Sequence, residues 1–481
     1  MMKYILCSLL TLLMACGGGG DDYIPPPIER PEQPGQPEKP DEFNKPDFTP
    51  HKDGEPFNSY RGLVMAGYQG WFGTPDDGCK HGNQWYHYQE GGKFEPGVLR
   101  NSIDFWPDVR EYEKTYETEK FILPNGNKAS VYSAYDKSSV LLHFRWMKEY
   151  GIDGVFMQRF VGEVIDNPNG KDHFDKVLES AMEGSNTYQR AICVMYDLGG
   201  FVPGRTAKTL ADAQDIMDKY QLKDRTKQKF YLHQNEKPLI VLWGVGFNDG
   251  RPFSLSDVEQ LVNGLKEKGF SIMLGVPTYW RERRNDALSD AKLHELIKAA
   301  DVIMPWFVGR YGMGNYPDFH NLIANDIVWC KTNGVEYAPL CFPGSSDRNM
   351  HPENSINQRH GGQFLWDQMY HCIKSGAQML YIAMFDEIDE GTAIYKCLNQ
   401  RDVPGNEADQ DYYIRYKDGN YSIVMFPGTD AGAKYTLAKD YRVEFQGIED
   451  ELQTDHYLWL TGQGRKMLRG EIPLSPALPL R

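Results

Sequence analysis

Residues 379–385 read MLYIAMF and run straight into Asp386-Glu387-Ile388-Asp389-Glu390-Gly391. The apolar run is short and shows no polar–apolar alternation. It therefore reads as a strand buried on both faces, as in a parallel sheet covered by helices. Seven earlier runs share the pattern: 63–69 (LVMAGYQ), 153–158 (DGVFMQ), 191–197 (AICVMYD), 239–244 (LIVLWG), 272–276 (IMLGV), 301–306 (DVIMPW) and 337–342 (YAPLCF). Between them lie amphipathic stretches of helical length, among them 138–150, 256–268 and 361–375. Eight strands alternating with helices predict an α/β chain folded as a (β/α)8 TIM-type barrel, with an open doubly wound sheet as the competitor. No G-x-G-x-x-G follows the first strand, which argues against a dinucleotide fold.

From the second run to the eighth, successive starts are 29 to 48 residues apart, but the first gap is about 90. The excess, roughly residues 71–135, predicts a long insertion after the first strand, on the face where a barrel carries its βα loops. It holds Trp71, Trp85, Tyr86, Tyr88, Phe105 and Trp106, which fit the wall of a cleft or a small packed subdomain equally well. The barrel is assigned to residues 57–403. Residues 404–481 read as a C-terminal extension packed on it, with a hairpin at 411–426 turning on Asp418-Gly419-Asn420.

The N-terminus reads as an address. Lys3 precedes an apolar run, residues 4–15, too short to span a bilayer. The run ends in Leu13-Met14-Ala15-Cys16, the lipobox pattern of bacterial lipoproteins, so residues 1–16 are expected to be a signal segment and Cys16 the lipidated residue. A multiply acylated cysteine is a stable anchor, since each buried methylene contributes roughly 0.8 kcal/mol. Residues 17–56, with Pro25-Pro26-Pro27 and PEQPGQPEKPDEF, form a Pro/Gly-rich tether. The expectation is a monomer at the cell envelope whose one contact with the membrane is the lipid on Cys16.

A net charge of −15 and the absence of any basic run argue against a nucleic-acid partner. Of eight cysteines, Cys7 leaves with the signal and Cys16 is acylated. The spacing of the remaining six fits no zinc pattern, and nothing points to a metal or a cofactor. Cys193 and Cys341 lie in strand-like runs and read as buried thiols, while a Cys372–Cys397 disulfide is open. The 29 Tyr, 23 Phe and 10 Trp exceed what a core needs and suit sugar rings, which present C–H groups to flat aromatic faces.

Chemistry concentrates after the eighth run, where four carboxylates fall within five residues. Clustered carboxylates raise one another's pKa, so that one holds a proton at neutral pH. Glycoside hydrolysis needs such a pair, and Glu387 and Glu390 are spaced to face the same way in a helical turn. Tyr68, Trp71, Gln158, Arg159, Tyr196, Asp197, Trp243, Trp306, Asp386 and Asp389, at or near strand ends, are the candidate substrate contacts. His143 and His371 fall inside helical stretches and read as structural.

Phe385-Asp386-Glu387-Ile388-Asp389-Glu390-Gly391-Thr392 resembles the FNEWHEGT signature of glycoside hydrolase family 99, the endo-α-mannosidase family, which is related to family 71. Glu149-Tyr150-Gly151-Ile152-Asp153-Gly154-Val155-Phe156 is similar to its helix-to-strand junction, and Gly67-Tyr68-Gln69-Gly70-Trp71-Phe72 to its first-strand segment. The resemblance spans about residues 60–400 and points to a lipoprotein group in Bacteroidetes. It implies a barrel and a retaining glycosidase in which Glu387 deprotonates the sugar's own 2-hydroxyl and Glu390 serves as acid/base on the glycosidic oxygen. It also implies the outer-membrane surface as the location. The chain departs from the family at Asp386 for Asn, Ile388 for Trp, Asp389 for His and Gln158 for a strand-end Glu. The function expected is hydrolysis of a poly- or oligosaccharide; the alternative is a non-catalytic cell-surface glycan-binding lipoprotein.

Overall fold

In this computed structural model the eight apolar runs form eight parallel strands: β1 (Val64–Tyr68), β2 (Gly154–Phe160), β3 (Ala191–Asp197), β4 (Lys237–Trp243), β5 (Ser271–Val276), β6 (Val302–Pro305), β7 (Glu336–Tyr337 and Leu340–Cys341) and β8 (Leu380–Ile382). The structure describes residues 46–481 except 82–84, 90–92, 97–101, 352–353, 406–412, 418–419, 425–426 and 438–443. Cys16, the signal segment and tether residues 17–45 lie outside the described residues, as do Asp418 and Gly419 of the hairpin turn.

Strand order follows chain order from β1 to β6, and β8 returns to pair with β1. The circle closes through β7, whose two halves face different neighbours. Glu336–Tyr337 pairs with β6 and Leu340–Cys341 with β8. Ala338 and Pro339 lie between the halves; Ala338 donates to Ile303 O and Pro339 O accepts from Tyr381 N. Pro339 has no N–H of its own to give, which fits the point where pairing changes sides. The expected (β/α)8 TIM-type barrel is therefore the fold.

Helices cover the strands in order: α1 (Lys137–Tyr150), α2 (Pro168–Tyr188), α3 (Thr206–Lys219), α4 (Leu255–Lys268), α5 (Lys292–Ala299), α6 (His320–Asn333), α7 (Gln363–Lys374) and α8 (His456–Leu468). Local sequence sets their ends. Ser254 and Asp257 form a capping box at the start of α4. Gly151 ends α1 at φ 79°, a left-handed position that suits glycine. Three residues later Gly154 lets β2 lie against β3, where a Cβ would come within 2.0 Å of Ala191 O.

The domain boundary at 403 needs correction. The eighth barrel helix, α8, comes from the C-terminal region, packing against α1, α7 and β1. Arg469 donates to Gly62 O at 2.9 Å and to the Asp153 carboxylate at 2.8 Å. The tether also ends earlier than residue 56. Asp53 pairs with Lys148 and Arg190, His51 stacks on Phe57 at 3.8 Å, and Arg61 holds Asp47 at 3.1 Å.

The insertion after β1 carries an antiparallel hairpin, Tyr116–Ile122 with Lys128–Val131. Its Trp106, Phe94 and Phe121 pack with Phe445 as a small aromatic core. Near the C-terminus, Tyr413–Lys417 pairs with Asn420–Val424 and with Lys434–Leu437. The six cysteines beyond the signal segment are free thiols, so no Cys372–Cys397 disulfide forms; Cys372 Sγ instead lies 4.0 Å from Cys341 Sγ.

Candidate active site

Side chains alternate along a strand, so which strand-end residues face the barrel axis is a matter of parity. Tyr381 of β8 stacks on Phe156 of β2 at 5.4 Å, and its hydroxyl reaches the sulfurs of Met195 and Met384. A Cβ on Gly67 would strike Tyr381 and Met384. Gly67, Phe156 and Met195 thus mark the inward face of β1, β2 and β3. Two residues on, Gln69, Gln158 and Asp197 point the same way toward the C-terminal mouth.

Three candidates have the opposite parity, correcting their assignment as substrate contacts. The Tyr68 hydroxyl hydrogen-bonds His143 Nδ1 of α1 at 2.8 Å. Arg159 makes a bidentate pair with Asp212 of α3, through Nε at 2.5 Å and Nη2 at 2.6 Å. Tyr196 donates to the same carboxylate at 2.6 Å. All three side chains are buried between strands and helices. His143 is structural as expected, since burial holds its pKa down at about 3.

The carboxylate segment follows β8 and a cis peptide between Ala383 and Met384. Asp386 is fully buried and accepts the backbone N–H of Gln69 at 2.7 Å and of Gly70 at 2.8 Å. Both of its oxygens are thus used to fasten the exit of β1. Burial raises its pKa to about 7 despite those donors. Glu387 is 3% exposed and is held from two sides. Thr392 Oγ1 donates to its Oε2 at 2.6 Å, and the Gln69 amide donates to its Oε1. Burial, and next the charge of Asp389, push Glu387 up to about 8, against the pull of these two donors.

Glu390 is half-buried, and its carboxyl receives no hydrogen bond from the described residues. Burial, then Glu387 and Asp389, raise its pKa above the usual range. Its backbone carbonyl accepts from Ser346 N at 2.8 Å. Asp389 is buried, with Oδ2 3.4 Å from His87 Nδ1 and Oδ1 without a hydrogen-bond partner among the described residues. Burial pushes it up to about 8.

The insertion braces this segment. Asp104 N and Phe105 N both donate to Ile388 O, at 2.9 and 3.0 Å. The Asp104 carboxylate accepts from Ser346 Oγ and from the backbone of Arg348 and Asn349. Arg359 donates to the carbonyls of Gly391 and Ala393.

Around the mouth, Asp197 is half-buried, accepts from Gly199 N at 2.6 Å and is raised by burial to about 6. Gln158 and Gln69 each leave a buried amide oxygen unpaired among the described residues. Trp243 and Trp306 meet edge to face at 5.1 Å, and Arg251 lies over Trp243. Trp71 cannot offer a ring face to a sugar, because His87 stacks on it at 3.9 Å and Phe160 at 5.1 Å. This too corrects an expected contact, leaving only the ring edge.

Sequence reasoning missed Gln69, Thr392, Asp104 and His87. Gln69 was one residue from the Tyr68 candidate, and strand parity was the missing signal. Thr392 stood inside the quoted motif. His87, a single histidine among aromatics, carried no spacing to single it out.

No family model matches the sequence, and no curated protein does. Solved structures do match in fold. A family 99 endo-alpha-mannosidase from Bacteroides thetaiotaomicron, in complex with BIS-TRIS-propane, superposes with a TM-score of 0.55 at 15% identity, covering 86% of this chain and 99% of that one. A second structure of a family 99 endo-alpha-mannosidase from that organism gives 0.54, with the same identity and coverage. These likenesses show a shared barrel architecture.

Proposed function

We propose that this chain is a retaining glycosidase acting on a poly- or oligosaccharide, with Glu387 as base and Glu390 as acid/base. The observation that carries the reading is the unequal treatment of two neighbouring carboxyls. Glu387 is fixed by two donors that favour its ionised form. Glu390, half-buried and without such donors, is pushed further toward its protonated form, by burial and then by the charges of Glu387 and Asp389. Splitting a pair in this way assigns acid and base. Glu387 would take the proton of the sugar 2-hydroxyl, which then attacks the anomeric carbon as the glycosidic oxygen leaves with the proton of Glu390. Water afterwards reopens the ring with the roles reversed. Asp197, Gln158 and Trp306 would bind the sugar. The fold shared with the family 99 endo-alpha-mannosidases supports this reading.

The test is turnover of a panel of plant and yeast polysaccharides by the wild-type chain and by Glu387→Gln and Glu390→Gln. Each substitution is expected to lower kcat/KM at least about a hundredfold, the low end for a positioned acid or base. Failure of the wild type on every glycan, or unchanged turnover in both variants, overturns the reading. Glycan binding without turnover would mark a glycan-binding lipoprotein. We further propose that Cys16 carries the lipid anchor at the outer-membrane surface. Loss of acyl labelling and release from membranes in Cys16→Ser is the expected result, and retention of both would sink it.

A further inference from the structure

We infer that His87 is a positioning residue of this site, whose imidazolium neutralises Asp389 so that Glu387 is free to ionise as the base. The inference rests on the glycosidase reading for the role of Glu387, but the ion pair stands on its own geometry. Asp386, Glu387, Asp389 and Glu390 crowd into one segment, and each is opposed by burial. Among the described residues no lysine or arginine pairs with any of the four, and His87 is the side chain able to carry positive charge that does.

His87 is held for this purpose. Its ring lies flat on Trp71 at 3.9 Å with 6° between planes, and Phe160 backs Trp71 from the other side. Its backbone sits at φ 59°, a left-handed conformation uncommon outside glycine and found where surroundings over-determine it. The side chain keeps 29% of its exposure, so an imidazolium stays partly solvated, whereas Asp389 keeps 3%. The other titratable groups turned toward it are His81, stacked on Tyr86, and His173 of α2, whose Nε2 meets Gly70 O at 2.8 Å, with Asp77 beyond them. Burial lowers the pKa of both of those histidines, His173 to about 4, which disfavours their charged forms.

The consequence for Glu387 is electrostatic. An ionised, unpaired Asp389 two residues away raises the pKa of Glu387 and keeps the base protonated. A cation on Asp389 removes that penalty without touching Glu387 or the substrate.

Two measurements on the full chain test this. In the first, ring-¹³C-labelled histidine is followed by NMR against pH, with the His87 signal identified by its loss in His87→Gln. Asp389→Asn is expected to lower the His87 midpoint by about one pH unit; an unchanged midpoint refutes the ion pair whether or not the chain hydrolyses glycans. In the second, the pH profile of kcat/KM is recorded on a glycan the chain cleaves. His87→Gln is expected to move the acidic midpoint up by about one unit, roughly a tenfold loss on that limb. Adding Asp389→Asn to His87→Gln should move it back. A profile that stays in place, or one that the second substitution fails to restore, refutes the positioning role. Absence of turnover in the wild type, with the NMR shift present, would overturn the glycosidase reading and with it the role given to Glu387, while leaving the ion pair established.

Discussion

Replacing Asp212 with alanine tests the inside-out placement of Arg159 and Tyr196. The carboxylate receives Arg159 through two bonds, Tyr196 at 2.6 Å and Lys171 at 2.9 Å, with side-chain exposures of 2% for Arg159 and 4% for Asp212. Burial pushes the Asp212 pKa up, but the Arg159 hydrogen bonds and charge outweigh it and bring the value down from 3.8 to about 2. A folded pKa below the unfolded one stabilises above about pH 4, and that stability is lost as pH falls through 2. The shift is worth about 2 kcal/mol at neutral pH. Asp212→Ala should cost more, about 3–5 kcal/mol, because it strands a buried guanidinium. The lower end is favoured, since Asp175 still reaches Arg159 Nη2 at 2.8 Å.

The assay is urea unfolding followed by tryptophan fluorescence, with stability taken by linear extrapolation. Arg159→Met combined with Asp212→Leu should recover most of the loss, because an apolar pair of similar volume replaces the ions. Tyr196→Phe should weaken stability by about 1.5–3 kcal/mol, the range for a hydrogen bond to a charged group, and leave kcat/KM unchanged. If Asp212→Ala costs less than about 1 kcal/mol, or if Tyr196→Phe damages turnover more than stability, these residues serve the mouth and not the helix layer.

Removing the Thr392 hydroxyl with Thr392→Val takes away a bond that lowers the Glu387 pKa, so the acidic midpoint of kcat/KM should rise; a fall would contradict the geometry. Asp104 and Asp386 have folded pKa values raised by burial to about 8 and about 7, so they stay protonated after the unfolded chain has ionised. Stability should therefore fall from pH 6.5 to 8, by up to about 1.4 kcal/mol per pH unit for each group. The urea midpoint measures this, and a flat or rising midpoint refutes it; His143 and His173, at about 3 and 4, are neutral throughout that window. Gly462→Ala would place a Cβ 1.9 Å from Tyr150 O, forcing α8 off α1. An overpacking loss of about 1–3 kcal/mol or more is expected in the same assay, and a neutral result would show that the helices do not touch there.

The strands were legible because burial on both faces leaves an unbroken apolar run, and parallel barrel strands are buried that way. The same uniformity hid which way each residue points. In VMAGY nothing distinguishes the inward Gly67 from the outward Tyr68, and a one-residue error exchanges the barrel axis for the helix layer. The carboxylate segment was legible because four acids after a strand are rare without a reason. What braces it was not, since Asp104, Gln69 and His87 arrive from distant positions through single contacts. The eighth helix escaped for another reason. About fifty residues separate it from Asp402, and Gly462 and Gly464, needed for close approach to Tyr150 and Met369, weaken its helical signature.

That helix makes the order of synthesis matter. A growing chain presents β1 to β8 and seven helices before α8 exists, so the ring of helices keeps a gap between α7 and α1 until residues 456–468 appear. Asp153, which accepts Val64 N from β1, waits for Arg469 as its counter-ion through the same interval. Cutting the chain after residue 455 would thus remove a stave from the barrel wall, and the exposed flank of α1 and α7 would behave as a sticky edge.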